Sequence, residues 1–111
     1  MTSLIDEYHS TYALLQELMQ RRTSISSEIE GLRAYLETPT GKGYSGGLID
    51  EEGYPIAGVD IVTIRQSRNR HACLQNDFSQ CMKDIEENLG KLHELSRKIK
   101  DAGLEVPRLT P

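Results

Sequence analysis

Apolar residues in the first third of the chain recur at alternating steps of four and three, and this spacing constrains the fold more than any other feature. The positions are Leu4, Tyr8, Thr11, Leu15, Leu18, Arg22, Ile25, Ile29, Leu32 and Leu36. Such a repeat is typical of the buried seam of a coiled coil. Ser3 can cap the start of the helix, and Pro39 disfavours helical geometry at the residue before it. The spacing therefore predicts a helix from about residue 4 to about residue 37.

A second helical stripe follows in the last half of the chain. Its positions are Ile61, Ile64, Leu74, Phe78, Met82, Ile85, Leu89, Leu92 and Ile99. Asp60 is a suitable N-cap for this helix, and Val59 and Ile64 stand at the two positions of a hydrophobic staple across it. A basic turn before Gly103 is typical of a helix end. We expect this helix to run from about residue 61 to about residue 102.

The segment between the two stripes begins with a glycine-rich run and then shows the composition of a short hairpin. Leu48-Ile49 and Tyr54-Pro55-Ile56 flank the sequence Asp-Glu-Glu-Gly. Asp50 favours the start of a turn, and Gly53 can supply the positive φ that a turn requires. A small β-hairpin in the connecting segment is therefore predicted.

Two long helices with matching stripes bury them by folding back on each other. The predicted fold class is mainly all-α, a long antiparallel two-helix hairpin resembling a coiled coil, with the small β-hairpin in the connecting segment. In that arrangement Leu18 lies opposite Phe78. We assign structural roles to these two residues, to the N-cap Asp60 and to the turn residue Gly53.

Composition restricts the function classes. The 111 residues are 37% hydrophobic and carry a formal net charge of -4, which argues against a protein that mainly holds nucleic-acid phosphates. Cys73 and Cys81 lie eight residues apart in one predicted helix, about 12 Å at 1.5 Å per residue, too far for an internal disulfide. With no glycosylation sequon, signal peptide or transmembrane run in the sequence, we expect reduced thiols and a cytosolic or nuclear location.

We find no constellation that carries chemistry. The run Thr40-Gly41-Lys42-Gly43 lacks the remaining positions of a phosphate-binding loop, since Leu36 stands where the first glycine belongs. The histidines have no zinc spacing beyond His71-x-Cys73, and we interpret them as partly exposed helix residues and the cysteines as small apolar residues near the seam. We therefore expect no catalytic residue, no metal site, no cofactor and no enzyme activity.

A polar patch near the start of the second helix is the candidate site. Arg65, Arg68, Asn69 and Asn76 share one helical face beside the acidic turn. One interpretation is an internal network that docks the hairpin on the helices, and the other is a surface for a protein partner; the two are compatible. Tyr54 and Pro55 have the same ambiguity. The candidate partner-binding residues are Tyr54, Pro55, Arg65, Arg68, Asn69 and Asn76, because interface centres favour Tyr and Arg.

The same stretch resembles the amino-terminal domain of a proteasome assembly chaperone family, 26S proteasome non-ATPase regulatory subunit 9. The resemblance is carried by residues 48–55, 59–62, 64–65 and 68–77, with Met82-Lys83 and Leu92-His93 beyond. In the first helix only the type of sequence agrees, around residues 15–19 and 28–30.

The resemblance implies a chaperone of the cytoplasm and nucleus that assembles the base of the proteasome regulatory particle. It would bind the carboxy-terminal domain of one AAA ATPase subunit, number five of the base, and sterically block premature contacts, with no membrane, nucleic acid or small-molecule substrate. Members of the family carry a PDZ domain after the helical domain. We therefore expect residues 1–103 to form the helical chaperone domain and residues 104–111 a linker toward a PDZ domain absent from this chain.

Two rival functions remain open at the level of sequence. A long helical hairpin can serve as an RNA-binding arm, which needs a basic ridge. It can also be a self-associating structural coiled coil, although a seam filled within one chain leaves little for a second copy.

Overall fold

A computed structural model describes residues 3–108 and contains two helices, α1 from Leu4–Leu36 and α2 from Ile61–Asp101. Both agree with the predicted helices to within about a residue at each end. Neither helix is long and apolar enough to cross a membrane. The end of the predicted linker, residues 109–111, lies outside the described residues.

Both helices begin at the predicted caps. The backbone N–H of Asp6 donates to the Ser3 hydroxyl at 3.1 Å, and the backbone N–H of Thr63 donates to the Asp60 carboxylate at 3.0 Å. Each bond satisfies one of the amides that a helix start leaves without an intrahelical acceptor. Both helices also run without a break through their internal glycines, Gly31 and Gly90.

The chain divides into two compact units. The terminal unit contains residues 1–22 and 80–111, of which 3–22 and 80–108 are described, and the loop unit contains residues 23–79. Each unit thus holds one segment of α1 and one segment of α2. The loop unit also holds the connecting segment, residues 37–60.

The terminal unit is built on an apolar cluster. Tyr8 from α1 packs with Leu95 and Ile99 from α2, and Leu4, Ile5, Leu92 and Val106 pack around them. Further along the same pair of segments, the Cys81 thiol donates to the Leu18 carbonyl oxygen at 3.2 Å. These contacts join early residues of α1 to late residues of α2, so the segments run antiparallel. Val106 brings the start of the predicted linker onto the cluster.

The loop unit buries side chains from both helices and from the connecting segment. They are Ile25, Leu36, Leu48, Ile64 and Leu74, with the polar His71. The Arg70 guanidinium bonds both carboxylate oxygens of Glu28, at 2.9 and 3.2 Å. Since Glu28 lies near the end of α1 and Arg70 near the start of α2, the segments are antiparallel here as well.

The seam of α1 is confirmed at every predicted position, each of which is buried or half-buried. In α2 the predicted stripe is wrong at Met82 and Leu89, which are 39% and 36% exposed. Their places are taken by Cys81 and Asn88, which are buried, together with Leu95. The observed seam of α2 is His71, Leu74, Phe78, Cys81, Ile85, Asn88, Leu92, Leu95 and Ile99.

A strict alternation of three and four thus holds in α2, but two of its positions are polar. Asn88 can occupy a seam because its side-chain N–H donates to the Asp84 carbonyl oxygen one turn earlier, at 2.8 Å. An apolar criterion skips such residues and selects their apolar neighbours instead. The predicted structural pair Leu18 and Phe78 are both half-buried.

The predicted β-hairpin does not form, since residues 3–108 contain no strand. An isolated antiparallel bridge joins Ile49 and Pro55 instead. It is flanked by two bonds, from the Asp50 N–H to the Tyr54 carbonyl oxygen at 2.7 Å and from the Ile56 N–H to the Leu48 carbonyl oxygen at 3.1 Å. The ladder stops there because glycines with positive φ, Gly46 at 111° and Gly58 at 75°, turn the chain away on both sides.

Candidate partner-binding surface

The glycine-rich run after α1 closes the helix end. The Thr38 hydroxyl donates to the Tyr35 carbonyl oxygen at 2.6 Å, and the Gly43 N–H donates to the Leu36 carbonyl oxygen at 2.6 Å. A Cβ on Gly41 would lie 2.1 Å from the Tyr35 carbonyl oxygen, so only glycine fits there. The composition that suggests a phosphate loop therefore serves as a helix C-cap.

Arg68 holds the next part of the loop. Its guanidinium donates to four backbone carbonyl oxygens at 3.0 to 3.2 Å, those of Lys42, Gly43, Ser45 and Gly46. A planar group with several fixed N–H donors suits this ring of carbonyls, which a lysine ammonium cannot match. Arg68 is half-buried, and its hydrogen-bonding capacity is committed to the loop. Arg68 therefore forms an internal network, but with the glycine-rich run and not with the acidic turn that the internal-network interpretation named.

A polar cluster lines a cleft of about 540 Å³ in the loop unit. One oxygen of the Glu37 carboxylate accepts hydrogen bonds from the Tyr44 hydroxyl at 2.9 Å and the Arg33 guanidinium at 3.3 Å. These two bonds, led by that from Tyr44, lower the pKa of Glu37 below its usual value. Desolvation of the Tyr44 hydroxyl, and then its hydrogen bond to Glu37, raise the pKa of Tyr44. The Tyr44 ring also lies against His71, with ring centroids 4.6 Å apart.

His71 corrects the sequence-based interpretation, because it is buried and not partly exposed. It stands at a seam position of α2, where Tyr44 from the loop covers its ring. Glu37, Tyr44 and His71 are residues of the site that the sequence reasoning missed. Extending the three-and-four alternation through polar residues would have placed His71 in the seam.

The acidic turn is held by its own first residue. The Asp50 carboxylate accepts hydrogen bonds from the backbone N–H groups of Glu52 at 3.0 Å and Tyr54 at 2.9 Å. Gly53 takes a φ of 88°, which confirms the conformation predicted for it. Pro55 stands in the bridge position that requires no N–H, so its ring costs the turn no hydrogen bond. This turn presents the Tyr54 side chain 65% exposed.

The outer face of α2 in the loop unit exposes polar side chains and one apolar side chain. Arg65, Asn69 and Asn76 are exposed, and Val62 is exposed on the first turn. Cys73 is also exposed, so the interpretation of the cysteines as seam residues is correct only for Cys81. All six candidate partner-binding residues lie in the loop unit. Five of them, all except Arg68, point to solvent, and their partner role stays a prediction.

The described residues contain no group of three or more His, Cys, Asp or Glu side chains that could hold a metal ion. The side chains that this surface exposes are a phenol ring, a guanidinium, amides and an apolar rim.

Comparisons with known proteins identify the family of this chain. The family model of the Nas2 N-terminal domain matches residues 15–94. Relatives called 26S proteasome non-ATPase regulatory subunit 9 are 43% identical over 79 residues in Mus musculus and 41% over 83 in Homo sapiens. These alignments cover 71% and 75% of this chain but only 36% and 37% of the relatives.

A relative of the same name in Drosophila melanogaster is 30% identical over 84 residues, which are 76% of this chain and 38% of that protein. The chain therefore spans little more than a third of the curated relatives that it matches. No solved structure matches it. The resemblance drawn from residues 48–77 is confirmed, and the chain belongs to the Nas2 N-terminal domain family.

Proposed function

We propose that this chain is an assembly chaperone for the base of the proteasome regulatory particle and not an enzyme. Its loop unit would bind the carboxy-terminal domain of an AAA ATPase subunit, number five of the base, and block premature contacts. Family membership supports the proposal, together with the name of the relatives as non-ATPase regulatory subunits of the 26S proteasome. The proposal includes action in the cytoplasm and nucleus, a chaperone domain over residues 1–103 and a linker over 104–111.

The single observation that carries the docking site is the exposed ring of Tyr54 on a turn fixed by Asp50. Large side chains left in solvent on a rigid turn lose little conformational entropy on binding, because the backbone that carries them is already ordered. Tyrosine is also among the residues that dominate binding energy in interface centres. Ile49 and Pro55, paired across the bridge beside it, extend the exposed apolar surface.

The outer face of α2 supplies the polar part of the proposed surface. Arg65 offers an exposed guanidinium, and Asn69 and Asn76, two turns apart, offer amides that both donate and accept. Val62 adds an apolar group at the start of the helix. Arg68 acts differently: it positions the loop through its carbonyl contacts and leaves direct contact to its neighbours.

The same arginines weigh against an RNA-binding arm. The basic cluster that such an arm requires consists here of Arg65, Arg68 and Arg70. Arg68 is bound to loop carbonyls and Arg70 is paired with Glu28, so two of the three charges are already engaged within the loop unit. A steric mechanism needs only an interface of ordinary size, about 800 Å² per partner, laid over the surface that a neighbouring ATPase later occupies.

Titration calorimetry with the isolated carboxy-terminal domain of that ATPase subunit tests the proposal. We expect binding at micromolar concentrations and a loss of about 2 kcal/mol, roughly 30-fold, for Tyr54→Ala, as for a central interface residue. Arg65→Ala should weaken binding by a smaller factor. Leu104→Ala and Arg97→Ala, which change exposed residues of the terminal unit, are the matched controls and should bind as the parent chain does.

Two results would contradict the proposal. Absence of binding at tens of micromolar would contradict the identity proposed for the partner. Tyr54→Ala could instead leave binding intact while the terminal-unit controls weaken it. That result would show that the ATPase domain is the partner but that it binds elsewhere than the proposed docking surface. Circular dichroism on each variant ensures that a lost helix is not mistaken for a lost contact.

A further inference from the structure

The net charge of the chain, -4, is concentrated in one short turn. In the terminal unit nine acidic and eight basic residues nearly cancel. The loop unit holds eight acidic and five basic residues, and three of the eight are consecutive in the acidic turn, Asp50-Glu51-Glu52. Outside this turn the charges of the loop unit balance, with five of each sign.

The charges of the acidic turn are also the least neutralised in the loop unit. Three of the five basic residues there, Arg33, Arg68 and Arg70, are already engaged by carboxylates or by loop carbonyls. By contrast, Glu51 and Glu52 are exposed, and their side chains form neither an ion pair nor a hydrogen bond with any residue that the structure describes. Their charges therefore remain available to a partner.

The carboxylates of the acidic turn do not converge on one point. The Asp50 carboxylate is held by the backbone N–H groups of Glu52 and Tyr54. Within residues 3–108 no group of three or more His, Cys, Asp or Glu side chains could hold a metal ion. Carboxylates that lie apart suit separate ammonium and guanidinium groups, which bind them through charge-assisted hydrogen bonds.

Exposed apolar side chains belong to the same turn. Ile49 and Pro55 form the bridge that closes it, and Tyr54 directly precedes Pro55. Ile49 and Tyr54 are 51% and 65% exposed. An apolar centre and a charged border therefore occur together within seven residues, which is the arrangement typical of a protein interface.

We propose that the acidic turn binds a basic surface on the ATPase domain. The partner would hold Tyr54 in an apolar pocket bordered by lysine or arginine side chains that face Glu51 and Glu52. This inference rests on the proposed function and specifies the chemistry of the partner's contact surface. Arg65 carries the opposite charge on the α2 part of the docking surface, so the pattern of signs also fixes the orientation in which the partner docks.

Charge weighs against other occupants of this surface. The phosphates of nucleic acids and of anionic membranes would be repelled by the acidic turn. A second copy of this chain, docked through the same patch about a two-fold axis, would bring two acidic turns together. A basic protein surface avoids both kinds of repulsion.

Surface plasmon resonance with the isolated carboxy-terminal domain of the ATPase subunit tests the inference, because attraction between exposed charges mainly speeds association and is screened by salt. The association rate constant should fall about 10-fold or more between about 50 mM and about 500 mM salt. At the lower salt concentration, Glu51→Gln with Glu52→Gln should reduce it about 3- to 10-fold, with a smaller change in the dissociation rate constant. The same double variant should show a weaker dependence on salt.

Glu86→Gln with Glu87→Gln is the matched control, since it removes the same charge from two adjacent exposed glutamates of the terminal unit. It should associate as the parent chain does. No binding by the parent chain would contradict the proposed function and this inference together. Binding with a rate independent of salt, equal slowing in both double variants, or faster association of Glu51→Gln with Glu52→Gln would overturn this inference alone.

Discussion

The terminal unit and the loop unit contain segments of the same two helices, yet different forces hold them together. In the terminal unit Tyr8, Leu95 and Ile99 meet in an apolar cluster that both helices build. In the loop unit a buried apolar set is supplemented by Arg68, whose guanidinium gathers backbone carbonyls, and by the Glu37, Tyr44 and His71 cluster. Segments of the same two helices can therefore be joined by apolar contacts in one unit and, in the other, also hold a loop in place through polar contacts.

The difference suits the docking role proposed for the loop unit. Apolar contacts are nondirectional and set only the distance and register of two helices. Hydrogen bonds to fixed carbonyls determine the path of a loop, residue by residue. A surface that must recognise one partner gains from the second kind of contact, because the docking residues then stand in a fixed arrangement before binding.

The largest effect is expected from a substitution that disrupts the apolar cluster of the terminal unit. Ile99 is fully buried in it, so Ile99→Ala should reduce the free energy of unfolding by about 2 to 5 kcal/mol through lost burial and a residual cavity. Leu104→Ala removes a similar side chain that is largely exposed and should cost less than about 0.5 kcal/mol. Urea unfolding followed by circular dichroism measures both. Equal losses in the two variants would mean that burial at Ile99 does not stabilise this unit.

The next effect concerns the close approach of backbones in the loop unit. Gly41→Ala should destabilise the fold by about 1 to 3 kcal/mol, since its Cβ would overlap the Tyr35 carbonyl oxygen and the Leu36 Cα at the end of α1. Gly31→Ala, in the same unit but with open space around its Cβ, should stabilise the helix by about 0.5 to 1 kcal/mol. Thermal unfolding distinguishes the signs. A higher stability of Gly41→Ala than of the parent chain would contradict the close backbone contact at the end of α1.

Polar fixation of the loop is tested by Arg68→Ala. We expect a loss of about 1 to 3 kcal/mol from the charge-assisted hydrogen bonds, concentrated in faster amide exchange of residues 42–46 while the terminal unit keeps its protection. Arg68→Lys should recover little of this, because an ammonium cannot span the carbonyls. Arg70→Ala breaks only an exposed pair with Glu28 and should cost at most about 1 kcal/mol. Uniform exchange changes in both units would contradict a local role for Arg68.

Features set by neighbouring residues could be predicted from the sequence. The seam of α1, both N-caps and the turn glycine Gly53 depend on spacings within a few positions, and all are confirmed. Family membership was also accessible, because a contiguous stretch carries it.

Features set by distant residues could not be predicted. Arg68 bonds carbonyls 22 to 26 positions earlier in the chain, and no local pattern indicates that pairing. The predicted strands do not form, because Gly46 and Gly58 turn the chain on either side of the bridge. The prediction relied on the apolar residues that flank the turn and took no account of these glycines. The prediction placed Leu89 in the seam because the true seam residue, Asn88, is polar, and it placed the larger apolar Met82 there in place of its small neighbour Cys81.

The smallest expected effect compares the helix caps of the two units. Ser3→Ala should cost about 0.5 to 2 kcal/mol, since it removes the acceptor for the Asp6 N–H at the start of α1. Asp60→Ala should also lower the melting temperature at neutral pH, because it removes the acceptor for both the backbone N–H and the hydroxyl of Thr63. The two variants differ in how the loss depends on pH.

Hydrogen bonding from the Thr63 backbone, and then from its hydroxyl, lowers the pKa of Asp60 in the folded chain. The stabilisation from this carboxylate is therefore complete above its unfolded pKa of about 3.9 and is lost as the pH falls through the lower folded value. The penalty of Asp60→Ala should shrink as the pH is lowered below about 4, whereas that of Ser3→Ala, whose hydroxyl does not titrate, should persist. Unfolding midpoints of both variants against the parent chain at each pH measure this. A constant Asp60→Ala penalty down to the lowest pH would mean that the cap acts through shape and not through its charge.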